Sequence, residues 1–296
     1  MLRIGIVGSE SSHAMQFAKY FNLPDPATGG EDLHPGIRVT AIMGDPESAG
    51  RTAELARVSH IAGSLEELVD TVDAVMITSR RGSQHMVHAI PFIEKGMPLF
   101  VDKPFTSSPQ EAAAMAKAID AAGCPVLGGS GYKYCESILE IKKEVTLLTE
   151  ENKLLTAMLH FPIMLDSPYD GFWFYGSHLV EMCMEIFGTD IQAVQAMRTE
   201  KALTAKIRYP DFVVSLHFVT EVWKHSCTLI TDDGPIVIPF DTAGSLAEEA
   251  NRFACMLQGT YPSMTTAELV RPNAVIDTIL RAESSGRTIT FLSEII

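Results

Sequence analysis

Within the first ~128 residues, short apolar runs alternate with helical stretches, and this alternation constrains the fold more than any other feature of the chain. The apolar runs are Arg3–Val7, Arg38–Met43, Asp73–Ile77, Pro98–Val101 and Pro125–Leu127. Between them lie Ser12–Asn22, Pro46–Arg57, Leu65–Val69, Gln84–Lys95 and Pro109–Ala122, each with helical periodicity. Strands and helices in this order form βαβ units, which wind right-handed into a parallel sheet covered on both faces. Ser64-Leu-Glu-Glu67 and Ser108-Pro-Gln-Glu111 read as capping boxes, the second with Pro109 as its first helical residue. The expected class is α/β, with an N-terminal doubly wound parallel sheet.

The pattern changes after Gly128-Gly-Ser-Gly131. A helix at about Cys135–Leu148 precedes long alternating runs at Leu154–Phe161, Ile191–Thr199, Phe212–Thr220, Trp223–Thr231 and Pro235–Pro239. Asp232-Asp-Gly234 is a hairpin signal between the last two. Strands that follow one another with few helices between them predict an α+β segment with a largely antiparallel, open sheet. Helices at about Ser245–Leu257 and Thr265–Ser284 close the chain. The expected division is therefore residues 1–128 and 129–296. The Pro/Gly-rich stretch Leu23–Gly36 reads as a surface loop at the sheet edge opposite any ligand crevice.

Lys and Arg number 23 against 37 Asp and Glu, a formal net charge of −14, which disfavours nucleic acid and anionic membrane as partners. Five scattered cysteines without a C-x-x-C pair suit a reducing compartment better than a disulfide framework. The N-terminus lacks a signal-peptide pattern, and no apolar run approaches the ~18 residues that span a bilayer. These features predict a soluble, cytoplasmic protein.

The first strand runs into Gly5-Ile-Val-Gly8-Ser9-Glu10-Ser11-Ser12-His13 and then a helix, the context of a dinucleotide-binding turn. Of G-x-G-x-x-G only Gly8 remains, with Glu10 and His13 at the other two places. Either the serine hydroxyls and His13 supply donors to a diphosphate, or the segment is an ordinary turn capped by Ser11 or Ser12. Asp45, after the second strand, is a candidate for the adenosine ribose and equally the N-cap of a helix starting at Pro46. No Arg immediately follows this strand to receive a 2′-phosphate, which favours NAD over NADP.

Val101-Asp102-Lys103-Pro104-Phe105 ends a parallel strand at the edge where ligands gather. A lysine there is placed to polarise a substrate oxygen beside a nicotinamide, with Asp102 to orient it. Pro104 restricts Lys103 to extended backbone or permits a cis bond. In Gly171-Phe-Trp-Phe174-Tyr175-Gly176-Ser177-His178-Leu-Val-Glu181, the apolar face of Leu179, Met182, Cys183 and Ile186 predicts a helix with His178 in its first turn, free to point into a cleft. Histidine is the side chain best suited to proton transfer near neutral pH.

Taken together, these segments resemble the glucose–fructose oxidoreductase/inositol dehydrogenase/rhizopine-catabolism (Gfo/Idh/MocA) oxidoreductases over nearly the whole chain. The matching segments are the first strand–turn–helix, Asp73-Ala-Val-Met-Ile77 followed by His85, and Gly96-x-Pro-Leu-Phe-Val-Asp102-Lys103-Pro104, with Asp for the family's Glu. Gly128-Gly-Ser-Gly-Tyr132-Lys133-Tyr134 and Gly176-Ser-His178-Leu-Val-Glu181 complete them. The resemblance implies an NAD(P)-dependent oxidoreductase acting on a hydroxyl or carbonyl of a sugar, cyclitol or related polyol, with Lys103 and His178 as the catalytic pair. Gly8, Ser9, Glu10, Ser11, Ser12, His13, Asp45, Asp102, Lys103 and Pro104 are the cofactor-binding candidates.

Phe174 stands where the family carries an aspartate, so Tyr175, Asp170 and Asp166 are the candidates for that polar role towards substrate. The alternative is a nucleotide-binding regulator or scaffold of the same fold without turnover. No H-E-x-x-H or tight ligand cluster suggests a metal. The nearly unbroken apolar run Phe212–Val219 predicts a homo-dimer or tetramer built through the open sheet face.

Overall fold

A computed structural model describes residues 1–24, 30–222 and 224–291. It separates into two compact units, Met1–Gly131 with Gly244–Val270, and Tyr132–Ala243 with the described residues from Arg271 onward.

The first unit is built on β1 (Leu2–Val7), β2 (Ile37–Met43), β3 (His60–Ile61), β4 (Ala74–Ile77), β5 (Leu99–Asp102) and β6 (Val126–Gly129). They form one parallel sheet in the order β3-β2-β1-β4-β5-β6. Every residue of β4, β5 and β6 is buried, as a sheet covered on both faces requires. The two-residue edge strand β3 is too short to carry a period and is absent from the sequence expectation. The chain reverses direction across the sheet between β1 and β4, so the crevice at their carboxyl ends is the ligand position of a doubly wound fold.

The connecting helices are α1 (Ser12–Asn22), α2 (Pro46–Leu55), α3 (Leu65–Thr71), α4 (His85–Ile93) and α5 (Pro109–Ala122). Both capping boxes form on their N-terminal side: Ser64 Oγ accepts from Glu67 N–H and Ser108 Oγ from Glu111 N–H. The return bond of the first goes one residue further out, from Gly63 N–H to Glu67 Oε2 at 2.7 Å.

The second unit contains α6 (Glu136–Glu150), β7 (Leu154–Pro162), α7 (Phe172–Phe187), β8 (Ala193–Arg198), β9 (Ala202–Arg208), β10 (Val213–Val219), β11 (His225–Thr231) and β12 (Gly234–Phe240). With β13 (Ile289–Thr290) they make a sheet in the order β12-β11-β7-β10-β9-β8-β13, antiparallel except for the central pair β7 and β10. Asp232 and Asp233 form the tip of the β11–β12 hairpin. The expected strand start at Trp223 lies outside the described residues. β9 was not foreseen, although its buried Leu203, Ala205 and Ile207 alternate with Thr204, Lys206 and Arg208.

Val214, Leu216 and Phe218 are fully buried among the core that also holds residues of α6 and α7. The alternate residues of β10 are half-buried, so its apolar run resolves into two faces. α7 begins at Phe172, earlier than expected. The signal was obscured by an aromatic run with no polar cap; Gly171 occupies the N-cap without a side-chain bond, and Phe172 is anchored in the core. His178 is therefore beyond the first turn of the helix, and it is only 4% exposed rather than free in a cleft.

α8 (Ser245–Leu257) and the start of α9 (Thr266–Ser285) return to the first unit. There Phe253 packs edge-on against Phe100, which meets Phe17 from α1. Ser263 Oγ accepts from Val126 N–H and donates to Val126 O, a clasp across 137 residues of sequence. Among the described residues no helix is long and apolar enough to cross a membrane.

Candidate functional site

The carboxyl edge of the parallel sheet brings the turn after β1 against the loop after β4. Gly8 has φ +102°, and a Cβ there would lie 2.3 Å from Ser79 N, so only glycine permits this approach. Thr78 closes the seam: its N–H donates to Val7 O, and its hydroxyl lies 3.1 Å from both Val7 O and Gly8 O.

The hydroxyls of Ser9 and Ser11 are already engaged within the protein. Ser9 Oγ bonds Asp45 O and Ser48 Oγ, while Ser11 Oγ caps α1 by accepting from His13 N–H at 3.2 Å. Ser12 is exposed. Asp45 is the N-cap of α2, with Oδ1 accepting from Ser48 N–H; that bond, with the Ser48 hydroxyl, holds its carboxyl below the usual carboxylate range. Glu10 reaches across to the loop after β4, where Oε1 accepts from Arg80 N–H at 3.3 Å.

Asp102, at the end of β5, is 2% exposed and shares its two oxygens between two donors. Oδ1 accepts from Lys103 N–H at 2.7 Å, and Oδ2 lies 2.8 Å from His13 Nδ1. Burial alone would raise its carboxyl pKa. The charge and hydrogen bond of His13, with smaller contributions from Lys103 and His85, outweigh that and hold it low. Lys103 is 5% exposed and joined to Pro104 by a cis peptide bond. Asp102 thus fixes the lysine through its backbone.

His85 is fully buried, with Nε2 2.7 Å from Ser79 O and Nδ1 3.3 Å from Phe105 O. Burial pushes its pKa down, so the ring is neutral and its single N–H belongs to the shorter contact. The imidazole ties the loop after β4 to the loop after β5. Ser79 Oγ also bonds His88 Nδ1 at 2.7 Å. The position of His85 shortly after β4 was visible in sequence; its bridging role depends on two carbonyls that sequence does not reveal.

In the second unit, the segment after β6 meets α7. His178 stacks on Tyr132 with centroids 4.1 Å apart and planes at 17°, and Tyr175 lies 6.4 Å away. One helical turn along α7, Glu181 Oε2 accepts from Lys133 Nζ at 2.9 Å in a buried ion pair that sequence reasoning did not single out. Asp166 is paired with Arg198 at 2.6 Å and is 85% exposed. Asp170 has φ +63° and is half-buried. Phe174 packs between Tyr169 and Tyr175. Of the three substrate candidates, Tyr175 is the one whose ring approaches His178. Among the described residues no group of three or more His, Cys, Asp or Glu could hold a metal ion.

Residues 2–130 match the family model GFO_IDH_MocA, described as "Oxidoreductase family, NAD-binding Rossmann fold". The match spans the first unit's parallel sheet and covers a little under half of the chain. The chain shares the fold of solved structures of inositol and sugar dehydrogenases. The myo-inositol dehydrogenase from Lactobacillus casei, in complex with NAD(H) and myo-inositol, superposes with a TM-score of 0.81 at 11% identity, covering 99% of this chain and 97% of that one. A putative myo-inositol dehydrogenase from Sinorhizobium meliloti gives 0.80 at 13% identity over 99% and 100%. The WlbA dehydrogenase from Bordetella pertussis, in complex with NADH and UDP-GlcNAcA, gives 0.79 at 16% over 98% and 99%. No curated protein sequence matches the chain. The turn after β1 has the shape of a dinucleotide-binding turn: Gly8 makes the close approach and the N-terminus of α1 follows it directly.

Proposed function

We propose that the protein is an NAD(P)-dependent dehydrogenase or reductase acting on a hydroxyl or carbonyl of a sugar, cyclitol or related polyol. The observation that carries this reading is the shared carboxyl edge on which the Gly8 turn, Asp102 and buried Lys103 converge. The names of the solved relatives, with inositol and a UDP-sugar bound, support the substrate class. In this reading residues 1–128 hold the dinucleotide through Gly8–His13, Asp45 and Asp102–Pro104, and the later residues bind substrate. When bound, the nicotinamide supplies the hydride acceptor or donor. His178 takes the hydroxyl proton during oxidation, and the Lys103 ammonium stabilises the developing alkoxide. Tyr175, Asp170 and Asp166 are the proposed substrate contacts. NAD is favoured over NADP, since Asp45 follows β2 and no Arg comes immediately after that strand. Incubation with NAD and a panel of polyols, followed by nicotinamide absorbance, should show turnover for at least one member; silence across the panel with either cofactor counts against the reading.

The Glu10 carboxylate brings a negative charge to the turn. At ~6 Å and an effective dielectric of ~20, repulsion from one phosphate charge costs about 3 kcal/mol before salt screening. Glu10→Gln keeps the acceptor for Arg80 N–H and removes the charge, so NADH should bind several-fold tighter in calorimetry at low salt. Equal affinities at low and high salt would show that the carboxylate is electrostatically irrelevant.

We also propose a homo-dimer or tetramer formed through the sheet face opposite α6 and α7. Register places Gln195, Lys206, Ser215, Met158, Thr228 and Val237 in one row across that face. Met197 lies in the neighbouring row, and Met158, Met197 and Val237 are 38%, 62% and 64% exposed. Light scattering at micromolar concentration should give a multiple of the 32.3 kDa chain. A monomeric mass would refute this assembly. A cytoplasmic location is proposed on the five free cysteines.

A further inference from the structure

We propose that His13, oriented by Asp102, stands in for the turn's missing glycines as the donor to an anionic diphosphate, so that dinucleotide affinity rises as pH falls. The inference rests on the dinucleotide reading above and assigns the chemistry of its anion contact. Asp102 is nearly inaccessible and its other oxygen is occupied by Lys103 N–H, so the carboxylate cannot turn away from the ring. It fixes Nδ1 as a protonated nitrogen, 2.8 Å away. The outer nitrogen, Nε2, has no hydrogen bond among the described residues, and the side chain remains 22% exposed. His13 also lies in the first turn of α1, where the helix dipole favours an anion. One competing donor is removed there, because the Ser9 hydroxyl is spent on Asp45 O and Ser48 Oγ.

The sign follows from the ring's two states. In the charged ring Nε2 carries a proton and donates to a phosphate oxygen. In the neutral ring, with Nδ1 held by Asp102, Nε2 presents a lone pair to the anion and the attraction is lost. The charged groups around the ring come from several elements. They are Asp102 on β5, Lys103 just beyond it and Glu10 on the same turn; His85 on α4, near Asp102, is held neutral by burial.

ADP-ribose, which carries the diphosphate without nicotinamide, and adenosine, which lacks it, separate the contact from the rest of the ligand. By calorimetry between pH ~5.5 and ~8.5, the range in which histidines titrate, wild type should bind ADP-ribose about 10-fold tighter at the acidic end. Adenosine affinity should be flat. His13→Gln should bind ADP-ribose with a flat profile near the alkaline wild-type value. In the wild-type protein itself, saturating ADP-ribose should move the midpoint of the His13 ring proton titration, followed by NMR, to higher pH by about one. A flat wild-type profile, an unmoved His13 midpoint, or an undiminished pH slope in His13→Gln would overturn the proposal while leaving dinucleotide binding intact. Failure of both ADP-ribose and NADH to bind at any pH would overturn the dinucleotide reading with it.

Discussion

Lys103→Met and His178→Ala should each lower kcat/KM at least ~100-fold on a verified substrate, the scale of a positioned acid–base group. Neither loss should come from unfolding. Met matches the length and apolar stem of Lys103, whose backbone N–H remains available to Asp102 Oδ1. At His178 the truncation removes the ring stacked on Tyr132, so the variant's melting temperature must be read beside its kinetics. NADH affinity separates the roles further: it should be nearly unchanged in His178→Ala, whereas Lys103 also belongs to the proposed cofactor segment and its variant should weaken NADH binding as well. If both variants turn over at close to the wild-type rate, the catalytic assignment is wrong.

The second large effect concerns stability. Glu181→Ala should destabilise the second unit by roughly 3–5 kcal/mol, because it leaves the buried Lys133 ammonium without its carboxylate. The side chains of the pair are 10% and 5% exposed, so water does not take over that role cheaply. For a chain of this size such a loss lowers the melting temperature on the order of 10 °C. Replacing both partners, Lys133→Met with Glu181→Leu, should recover most of the loss, since the cost lies in the orphaned charge rather than in the missing attraction. A single variant that melts within a degree of wild type would show that the pair is dispensable. Lys133 directly follows Tyr132, so the same substitution should also loosen the ring stacked on His178, and activity should fall more than stability alone explains.

The parallel sheet was legible because β4 and β5 are continuous apolar runs and because the helices between the strands carry their own punctuation, as at Ser64, Ser108 and Pro109. The same logic failed where the signal is not periodic. β3 has two residues, too few to carry a period. The start of α7 lacked a polar cap, which moved the expected place of His178 and made a buried, stacked ring read as one free to point into a cleft. At the site, residue types at Gly8, Asp102, Lys103 and His178 were readable as chemistry. Their hydrogen-bond partners were not. Nothing local distinguishes an Asp45 that caps α2 from one left free, or ties His13 to a carboxylate 89 positions away. The amphipathic pattern of α8 likewise declares an apolar face without saying which sheet will cover it.

That last helix has a consequence for how the protein comes into being. When the ribosome has released the six strands of the first sheet, Phe17 and Phe100 are still waiting for Phe253, and Val126 for Ser263. Everything from Tyr132 to Ala243 must be translated first. At about 5–20 residues per second, that is a delay of several seconds to tens of seconds. During that interval the nascent sheet carries an uncovered aromatic patch and depends on whatever cellular factors shield such surfaces. The second unit waits longer still, because Val275, Ile276 and Ile279 of α9 belong to its core and are translated after Phe253.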